Sequence, residues 1–461
     1  MLNTLYLPEL REMLANDDQQ QLSEFCSTLH PARTAEYMEG LEAEESWRVL
    51  KTTDVATCID IFTYFPREKQ IDMLENLDRK EMAKLVADLP PDERVDLLAE
   101  VDPEVVEEVL PLMPAVERRD ILRLQSYEED TAGRVMTTEV ARLSENLSIA
   151  EVQDRFRAWG ENPEILETVY YLYVVDDDDH LRGVVSFREI AFAALVTHQK
   201  DKRIRDLMQP NVISVRVDQD QEEVARVFAD HDLLALPVVD QRNRLIGIVT
   251  HDDVIDVVRE EAVEDAHLSG GIQPLENGYL QTKLLSLAWK RVIWLTILFF
   301  AALLTATALN GYEPIMAQHV WLVMFIPLVI SSGGNSGNQS ATLVITALNN
   351  EDVHLHDWKR IIFREIMMGL LLGGALSGAA LIVVWVMVQL GFAPPLAIFD
   401  SIVVPFTVFS VVIAGTLTGA ILPLFFRRLG LDPALMSNPF VACVMDILGI
   451  CIYMSIAQLV L

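Results

Sequence analysis

The chain has 461 residues and a formal net charge of −32 at pH 7. The first 288 residues hold 60 acidic and 29 basic residues, a net charge of −31, whereas residues 289–461 hold eight and seven, a net charge of −1. This balance argues against nucleic acid as a partner, because nucleic acid requires a basic surface. It suits divalent cations, which bind oxygen ligands, although acidic surfaces also keep proteins soluble. The four cysteines have no CxxC spacing, so neither a disulfide framework nor a zinc site is predicted.

Residues 1–126 are predicted to be helical throughout. Leu and Val recur there at helical spacing, and prolines with Asp or Glu close behind them mark helix starts. The units are about a dozen residues long and repeat loosely, which is typical of a small superhelix whose neighbours stack. We assign residues 1–130 to an acidic, all-α superhelical domain. The N-terminus has no basic segment followed by an apolar one, so no signal peptide is predicted.

Residues 131–258 have a different pattern, in which a strand, a charged turn and a second strand occur twice. TVYYLYVVD at residues 168–176 leads to LRGVVS, and LALPVVDQRNRLIGIVT at residues 234–250 repeats the scheme. The endings GVVS and GIVT lie 64 residues apart, from Gly183 to Gly247. Two such units in tandem resemble a pair of CBS domains, which have an α/β fold.

A CBS pair often holds an adenine nucleotide in its cleft. The family's ribose motif, Ser or Thr followed three residues later by Asp, matches Thr250 and Asp253. The first repeat has Glu189 three residues after Ser186, which departs from the motif. The resemblance therefore implies one candidate site for a nucleotide such as ATP, and it leaves open whether the nucleotide binds.

Residues 254–271 are predicted to form a helix that ends at Gly270, within a linker assigned to residues 259–283. Valines form one stripe of this helix, and acidic residues form another. The acidic residues are Asp256, Glu260, Glu261, Glu264 and Asp265. Like charges four residues apart weaken a helix, and a bound cation would remove that penalty. The cluster favours a cation sensor, and a solvated linker helix is the alternative.

Residues 284–461 contain five apolar stretches that are long enough to span a membrane. They run approximately over residues 289–309, 316–344, 361–389, 402–426 and 439–461. Lys and Arg cluster before the first stretch, between the second and third, and between the fourth and fifth, and the other two connections contain none. Positively charged loops remain in the cytoplasm. We therefore predict that the acidic block is cytoplasmic and that the C-terminus lies outside.

The second span contains the polar segment SSGGNSGNQSATL, residues 331–343. Its glycines weaken a helix, and irregular polar backbone at membrane depth is tolerated only inside protein or beside a water-filled cavity. The segment is predicted to interrupt the span and to line a pore or its mouth. A cytoplasmic loop that ends the span is the alternative.

In the last span, Asn438, Ala442 and Asp446 recur every four residues and share one helix face. Asp446 lies roughly 10 Å into a span that has no Lys or Arg of its own. A carboxylate there costs roughly 2.5–3.5 kcal/mol. A transported cation is the predicted partner, and a polar clamp between helices is the alternative. Glu365 and Asp400 lie near span ends and are assigned no special role.

The chain as a whole resembles the MgtE family of magnesium channels, most specifically in EEAVED, SGGNSGNQSATL and GLDPALMSNPFVACVMDILG. The resemblance implies a homodimer in the lipid of a bacterial inner membrane, with a pore at the two-fold axis. Asp446 matches the pore aspartate, and Ala442 matches a position that offers backbone oxygen to the hydrated ion. Asn438 matches the cytoplasmic mouth of that path.

The resemblance further implies that cytoplasmic Mg²⁺ shuts the pore by binding between acidic surfaces, with the linker helix as a plug. The implied sensor residues lie in the CBS module and in the linker, and none is assigned in the helical domain. They are Asp220, Glu222, Asp232, Asp253, Asp256, Glu261, Glu264 and Asp265.

Three functions remain open at this point. The first is a magnesium channel that Mg²⁺ itself gates, and the second is a nucleotide-sensing transporter of another divalent cation or solute. The third, a membrane-anchored regulatory protein without transport, explains Asp446 and the polar second span poorly. The sequence has no phosphate-binding loop, nucleophile elbow or metal-hydrolase motif, so no enzymatic activity is predicted.

Overall fold

A computed structural model describes residues 5–161, 170–195, 202–275, 278–280, 282–392, 398–435 and 437–461. The chain forms two compact units, Met1–Arg259 and Glu260–Leu461. The first unit contains short helices and two small sheets, and the second contains the long helices.

Short helices of 7 to 10 residues form the start of the first unit. They are α1 (Leu7–Ala15), α2 (Gln19–Thr28), α3 (Pro31–Met38), α4 (Ala43–Leu50), α5 (Val55–Thr63), α6 (Arg67–Asn76), α7 (Arg79–Ala87), α8 (Pro91–Glu100), α9 (Pro103–Val109) and α10 (Ala115–Leu124). Four begin at an aspartate that accepts a hydrogen bond from a backbone N–H of the first turn, namely Asp18, Asp54, Asp78 and Asp102. The helical prediction for this region is confirmed.

The rest of the first unit is a repeated α/β arrangement. Its helices are α11 (Ala132–Val135), α12 (Ile149–Glu161), α13 (Phe187–Leu195) and α14 (Gln221–His231). Its strands are β1 (Arg142–Ser144), β2 (Tyr171–Val175), β3 (Leu181–Ser186), β4 (Val215–Arg216), β5 (Ala235–Val239) and β6 (Leu245–Thr250). The sheets have the orders β1-β2-β3 and β4-β5-β6, each with one parallel and one antiparallel pair. The tandem repeat is confirmed, and one apolar core joins the second sheet to the short helices.

The two repeats pack against each other in a reciprocal way that explains the glycines of GVVS and GIVT. A side chain at Gly183 would meet the sulfur of Met208 at 2.7 Å, and one at Gly247 would meet the sulfur of Met136 at the same distance. Each methionine directly precedes a residue that pairs with the other repeat. Gln209, after Met208, pairs with Val184, and Thr137, after Met136, pairs with Ile248. Glycine permits these close approaches of backbone.

Helix α15 (His251–Ser269) begins directly after β6 and ends one residue before the predicted Gly270. The second unit continues with α16 (Leu284–Gly311), α17 (Glu313–Gln318), α18 (Trp321–Asn349), α19 (Trp358–Gln389), α20 (Ile398–Arg428) and α21 (Asn438–Val460). Five long helices therefore occupy the positions of the five predicted spans. Within the described ranges, four of them (α16, α19, α20 and α21) are long and apolar enough to cross a membrane.

Helix α18 departs from the prediction, because its polar segment does not interrupt it. Residues 331–343 are helical throughout, and the helix contains Pro327 as well. Glycine suits these positions because α18 packs closely on α20. A side chain at Gly415 of α20 would meet the carbonyl oxygen of Gly333 at 2.6 Å. Small residues let helix backbones approach one another in membranes, so tertiary packing outweighs the low helix propensity of glycine.

Candidate functional site

Helix α21 presents Asn438, Ala442 and Asp446 at intervals of four residues, and all three side chains are half-buried. Asp446 lies about 12 Å along the axis from the start of the helix. The helix has no Lys or Arg that could neutralise it. A carboxylate at such a depth does not face lipid without a large cost, so it faces protein or water.

The exposed face of α18 is polar along half of its length. Its exposed polar residues recur three or four positions apart and so form one stripe. We call this the polar stripe, and its residues are Ser331, Asn335, Gln339, Thr342 and Thr346. Hydroxyl and amide groups are disfavoured against hydrocarbon. The stripe therefore requires water or another polypeptide beside it.

The polar stripe and the Asp446 face of α21 border each other. The hydroxyl of Thr342 donates a hydrogen bond of 3.3 Å to Oδ1 of Asn438. Ala442 lies one turn after Asn438 on α21, and a side chain at Gly334 of α18 would contact it at 3.9 Å. The absence of a side chain at Gly334 therefore lets the backbone of α18 approach Ala442 closely. Two polar walls thus meet along one line through the second unit.

The C-terminal half of α15 is fastened to the ends of these two helices. Nδ2 of Asn349, the last residue of α18, donates to the Asp265 carboxylate at 3.1 Å. Nδ2 of Asn438 donates to Oγ of Ser269 at 3.4 Å. Burial raises the pKa of Asp265, the hydrogen bond from Asn349 lowers it, and the nearby Asp432 raises it. The carboxylates of Asp265 and Asp432 therefore interact electrostatically at the end of α15.

The first unit brings together a second set of acidic groups. The pKa of Asp253 is raised to about 6, chiefly by burial. Hydrogen bonds from Thr250 lower this pKa, and the neighbouring Asp252 and Glu93 raise it. Burial also raises the pKa of Glu93, which is further raised by Asp256 and Asp252 and lowered by Arg67. Carboxylates of α8 and of the first turns of α15 thus interact electrostatically. The sequence assigned no residue of the helical domain to a site, and the structure adds Glu93 to this acidic group.

The remaining predicted sensor residues have other positions. Asp220 accepts a hydrogen bond from the Glu222 N–H at 2.8 Å and so begins α14, while Glu222 lies 3.8 Å from Arg226. Asp232 ends that helix with a positive φ of 50°. Glu261 is half-buried and Glu264 exposed on α15. Within the ranges that the structure describes, no three His, Cys, Asp or Glu side chains are arranged to hold a metal ion.

The candidate ribose motif has a structural role in both repeats. The N–H and hydroxyl of Thr250 donate to the Asp253 carboxylate, the former at 3.3 Å. Ser186 donates in the same way to Glu189, at 3.0 Å from its N–H and 2.8 Å from its hydroxyl. Each pair begins a helix as a capping box does. The Glu of the first repeat therefore keeps the capping interaction while lengthening the side chain.

Comparison with known proteins extends over the whole of this arrangement. Residues 326–456 match the family described as a divalent cation transporter, residues 29–130 match the MgtE intracellular N domain, and residues 132–195 and 204–260 match the CBS domain. The magnesium transporter MgtE of Thermus thermophilus is 37% identical over 98% of this chain and 98% of its own length. The chain belongs to the MgtE family of magnesium transporters.

Two solved structures each cover about half of this chain. The soluble part of a magnesium transporter has a TM-score of 0.50 and 32% identity, and it covers 55% of this chain and 97% of its own. The cytosolic domain of the Mg²⁺ channel MgtE in complex with ATP has a TM-score of 0.48 and 35% identity, covering 54% and 98%. The family identifies Mg²⁺ as the transported substrate and the protein as a membrane transporter rather than an enzyme.

Proposed function

We propose that this MgtE protein is a Mg²⁺-selective channel for Mg²⁺ uptake whose path runs between the polar stripe of α18 and the Asn438, Ala442 and Asp446 face of α21. The observation that carries the proposal is the hydrogen bond from Thr342 to Asn438, which brings both polar walls to one line. In a homodimer with its axis along this line, two copies of Asp446 would face the same water-filled space.

The chemistry of Mg²⁺ favours such a path. Mg²⁺ gives up its waters reluctantly and is usually held through one or two carboxylates while it remains hydrated. A pair of Asp446 carboxylates would attract the hydrated ion electrostatically, and the hydroxyls, amides and backbone oxygens of the walls would accept hydrogen bonds from its waters. Conduction requires binding that is weak enough to release the ion, which a complete oxygen cage would prevent.

We further propose that cytoplasmic Mg²⁺ closes the channel by binding at acidic contacts along α15. Near its start, Asp252, Asp253 and Asp256 face Glu93 of the helical domain. Near its end, Asp265 lies close to Asp432. Without a cation, these carboxylates repel one another, so Mg²⁺ would bind the closed state more tightly and shift the population toward it. Carboxylate pairs fit Mg²⁺, and the other assigned acids, Asp220, Glu222, Asp232, Glu261 and Glu264, would add to the attracting field.

The orientation follows from the charged loops. The acidic first unit would lie in the cytoplasm of a bacterium, the long helices would cross the inner membrane within its lipid, and the C-terminus would lie outside. ATP is a candidate regulatory ligand at Thr250 and Asp253. Binding would require Asp253 to exchange its bond to the Thr250 hydroxyl for one to ribose.

The function is tested by recording single-channel currents from the full-length protein in planar bilayers with Mg²⁺ on both sides. We expect Asp446→Asn to reduce Mg²⁺ conductance at least tenfold, because each protomer loses the charge that concentrates the ion. The matched control is Asp400→Asn in the first turn of α20, which should conduct as the unaltered protein does. Equal conductance of Asp446→Asn and the unaltered protein would refute the proposal.

A further inference from the structure

Glu365 is a buried carboxylate in the second unit. It lies two turns into α19 and is 8% exposed, although the sequence places it near a span end. Its Oε2 accepts a hydrogen bond of 2.6 Å from the hydroxyl of Ser340 on α18, which is 4% exposed. Burying an acidic group among membrane helices is costly, and the direct bond to Ser340 offsets part of that cost.

The same residue joins a third helix through its backbone. The hydroxyl of Thr416, on α20, donates to the carbonyl oxygen of Glu365 at 3.1 Å and to that of Ile413 at the same distance. Thr416 is fully buried. Helices α18, α19 and α20 are therefore bonded to one another at a single level, and Glu365 is the residue common to the contacts.

Ser340 lies on the opposite side of α18 from the polar stripe. It precedes Thr342 by two residues, which is a rotation of about 200° on a helix. Thr342 donates to Asn438 at 3.3 Å, and Asn438 donates to Ser269 of α15 at 3.4 Å. A series of polar contacts thus runs from Glu365 through both faces of α18 to the mouth of the candidate path and the end of α15.

We propose that Glu365 is a positioning residue for Mg²⁺ conduction, which holds α18 through Ser340 so that Thr342 fixes the side chain of Asn438 at the pore mouth. The inference deepens the proposed channel function and rests on it. Glu365 does not line the path, and it acts as a hydrogen-bond acceptor rather than as a charge that attracts the ion. If the bond to Ser340 is lost, α18 can shift slightly where it packs on α20, and the weak contact of Thr342 with Asn438 is disturbed.

Two substitutions separate the acceptor from the charge. Glu365→Gln retains a carbonyl oxygen for the Ser340 hydroxyl and removes the charge, whereas Glu365→Ala removes both. We expect single-channel Mg²⁺ conductance to stay within about twofold of the unaltered protein for Glu365→Gln and to fall about fivefold for Glu365→Ala. Ser340→Ala should reproduce the loss. Its matched control is Ser410→Ala on α20, since Ser410 is half-buried and its hydroxyl donates to the Phe406 carbonyl of its own helix.

A double-mutant cycle then tests whether Glu365 acts through Asn438. The losses in conductance of Glu365→Ala and Asn438→Ala should not multiply in the double variant, because both disrupt the same contact. Independent, multiplying effects would overturn the proposal, and so would equal losses in Glu365→Gln and Glu365→Ala, which would indicate a role for the charge. Thermal melting of each purified variant identifies a folding defect, and Ser340→Ala provides the decisive test if Glu365→Ala fails to fold.

The outcomes also distinguish this proposal from the channel function. If Asp446→Asn conducts normally, the proposed path is wrong whatever the Glu365 variants do. If Asp446→Asn abolishes conduction while Glu365→Ala and Ser340→Ala leave it unchanged, the path stands and the positioning role of Glu365 is refuted.

Discussion

The two units of this MgtE protein carry acidic groups under opposite conditions. In the first unit, carboxylates are abundant and mostly solvated, and Glu93 is distinguished only because the fold places it against Asp252 and Asp256. In the long helices of the second unit, charges are rare. Asp446 lies in a helix that has no other charged residue, and Glu365 is buried two turns into α19. A solvated carboxylate has little energetic cost, so its role depends on which residues lie opposite it. A carboxylate within the membrane-spanning helices has a large energetic cost, so even a single one indicates a function.

The largest effect should come from the acidic interface of the first unit. We expect the double variant Glu93→Gln, Asp253→Asn to raise the Mg²⁺ concentration that half-closes the channel about tenfold, because it removes two of the ligands through which Mg²⁺ would hold the closed state. Patch recordings with Mg²⁺ varied on the cytoplasmic side measure this value. The control is Glu107→Gln, an exposed acid of the same helical domain. If the double variant closes at the same Mg²⁺ concentration as the unaltered protein, the acidic interface does not bind the regulatory cation, and if Glu107→Gln shifts that concentration as well, net charge rather than placement governs the first unit.

A smaller effect should come from the second unit, because the contact there is a single hydrogen bond rather than a cluster of charges. Asn349→Ala removes the donor to Asp265, which lies 3.1 Å away. A hydrogen bond to a charged group contributes about 1.5–3 kcal/mol, and only part of it should act on gating because Asp265 is half-buried and can bond to water instead, so we expect the half-closing Mg²⁺ concentration to rise about threefold. Asn350→Ala, the exposed neighbour, is the control. A tenfold change here would make the two contacts of α15 equivalent and remove the contrast between the units.

The smallest effect is a pH dependence of stability. Asp253 has a folded pKa of about 6, above the ordinary value of about 3.9. The folded chain therefore binds more protons than the unfolded chain, so this stabilisation is complete below about pH 4 and is lost as pH rises through about 6. We expect the melting temperature in the absence of Mg²⁺ to fall by roughly 2–4 °C between pH 4.5 and pH 7.

Two variants sharpen that measurement. Asp253→Asn should remove most of the fall. Asp218→Asn should not, because a hydrogen bond from Arg216 lowers the pKa of Asp218 below that range. Adding Mg²⁺ at pH 7 should restore the melting temperature of the unaltered protein, since the cation takes the place of the proton between the carboxylates. A profile that Asp253→Asn leaves unchanged would place the titrating group elsewhere.

Local sequence patterns are sufficient for much of the secondary structure. Proline and aspartate starts determine where the short helices begin, and the repeated GVVS and GIVT endings identify the tandem α/β units. The polar segment of α18 shows where such patterns fail. Its glycines and amides suggest a break, but they serve the close packing on α20 and the polar stripe instead. The cost of glycine within a helix is about 1 kcal/mol, which helix packing readily exceeds.

The sequence by itself determined the domain order, the long apolar helices, the family and Asp446, because a charge in an apolar span is conspicuous without any knowledge of its neighbours. Only the tertiary structure decided that Glu93 faces the start of α15, that Thr342 meets Asn438 and that Glu365 holds Ser340. These contacts join residues far apart in the chain, and no local periodicity encodes them. Their physical basis is burial, which raises the free energy of an isolated charge and makes each polar group depend on the partner that folding provides.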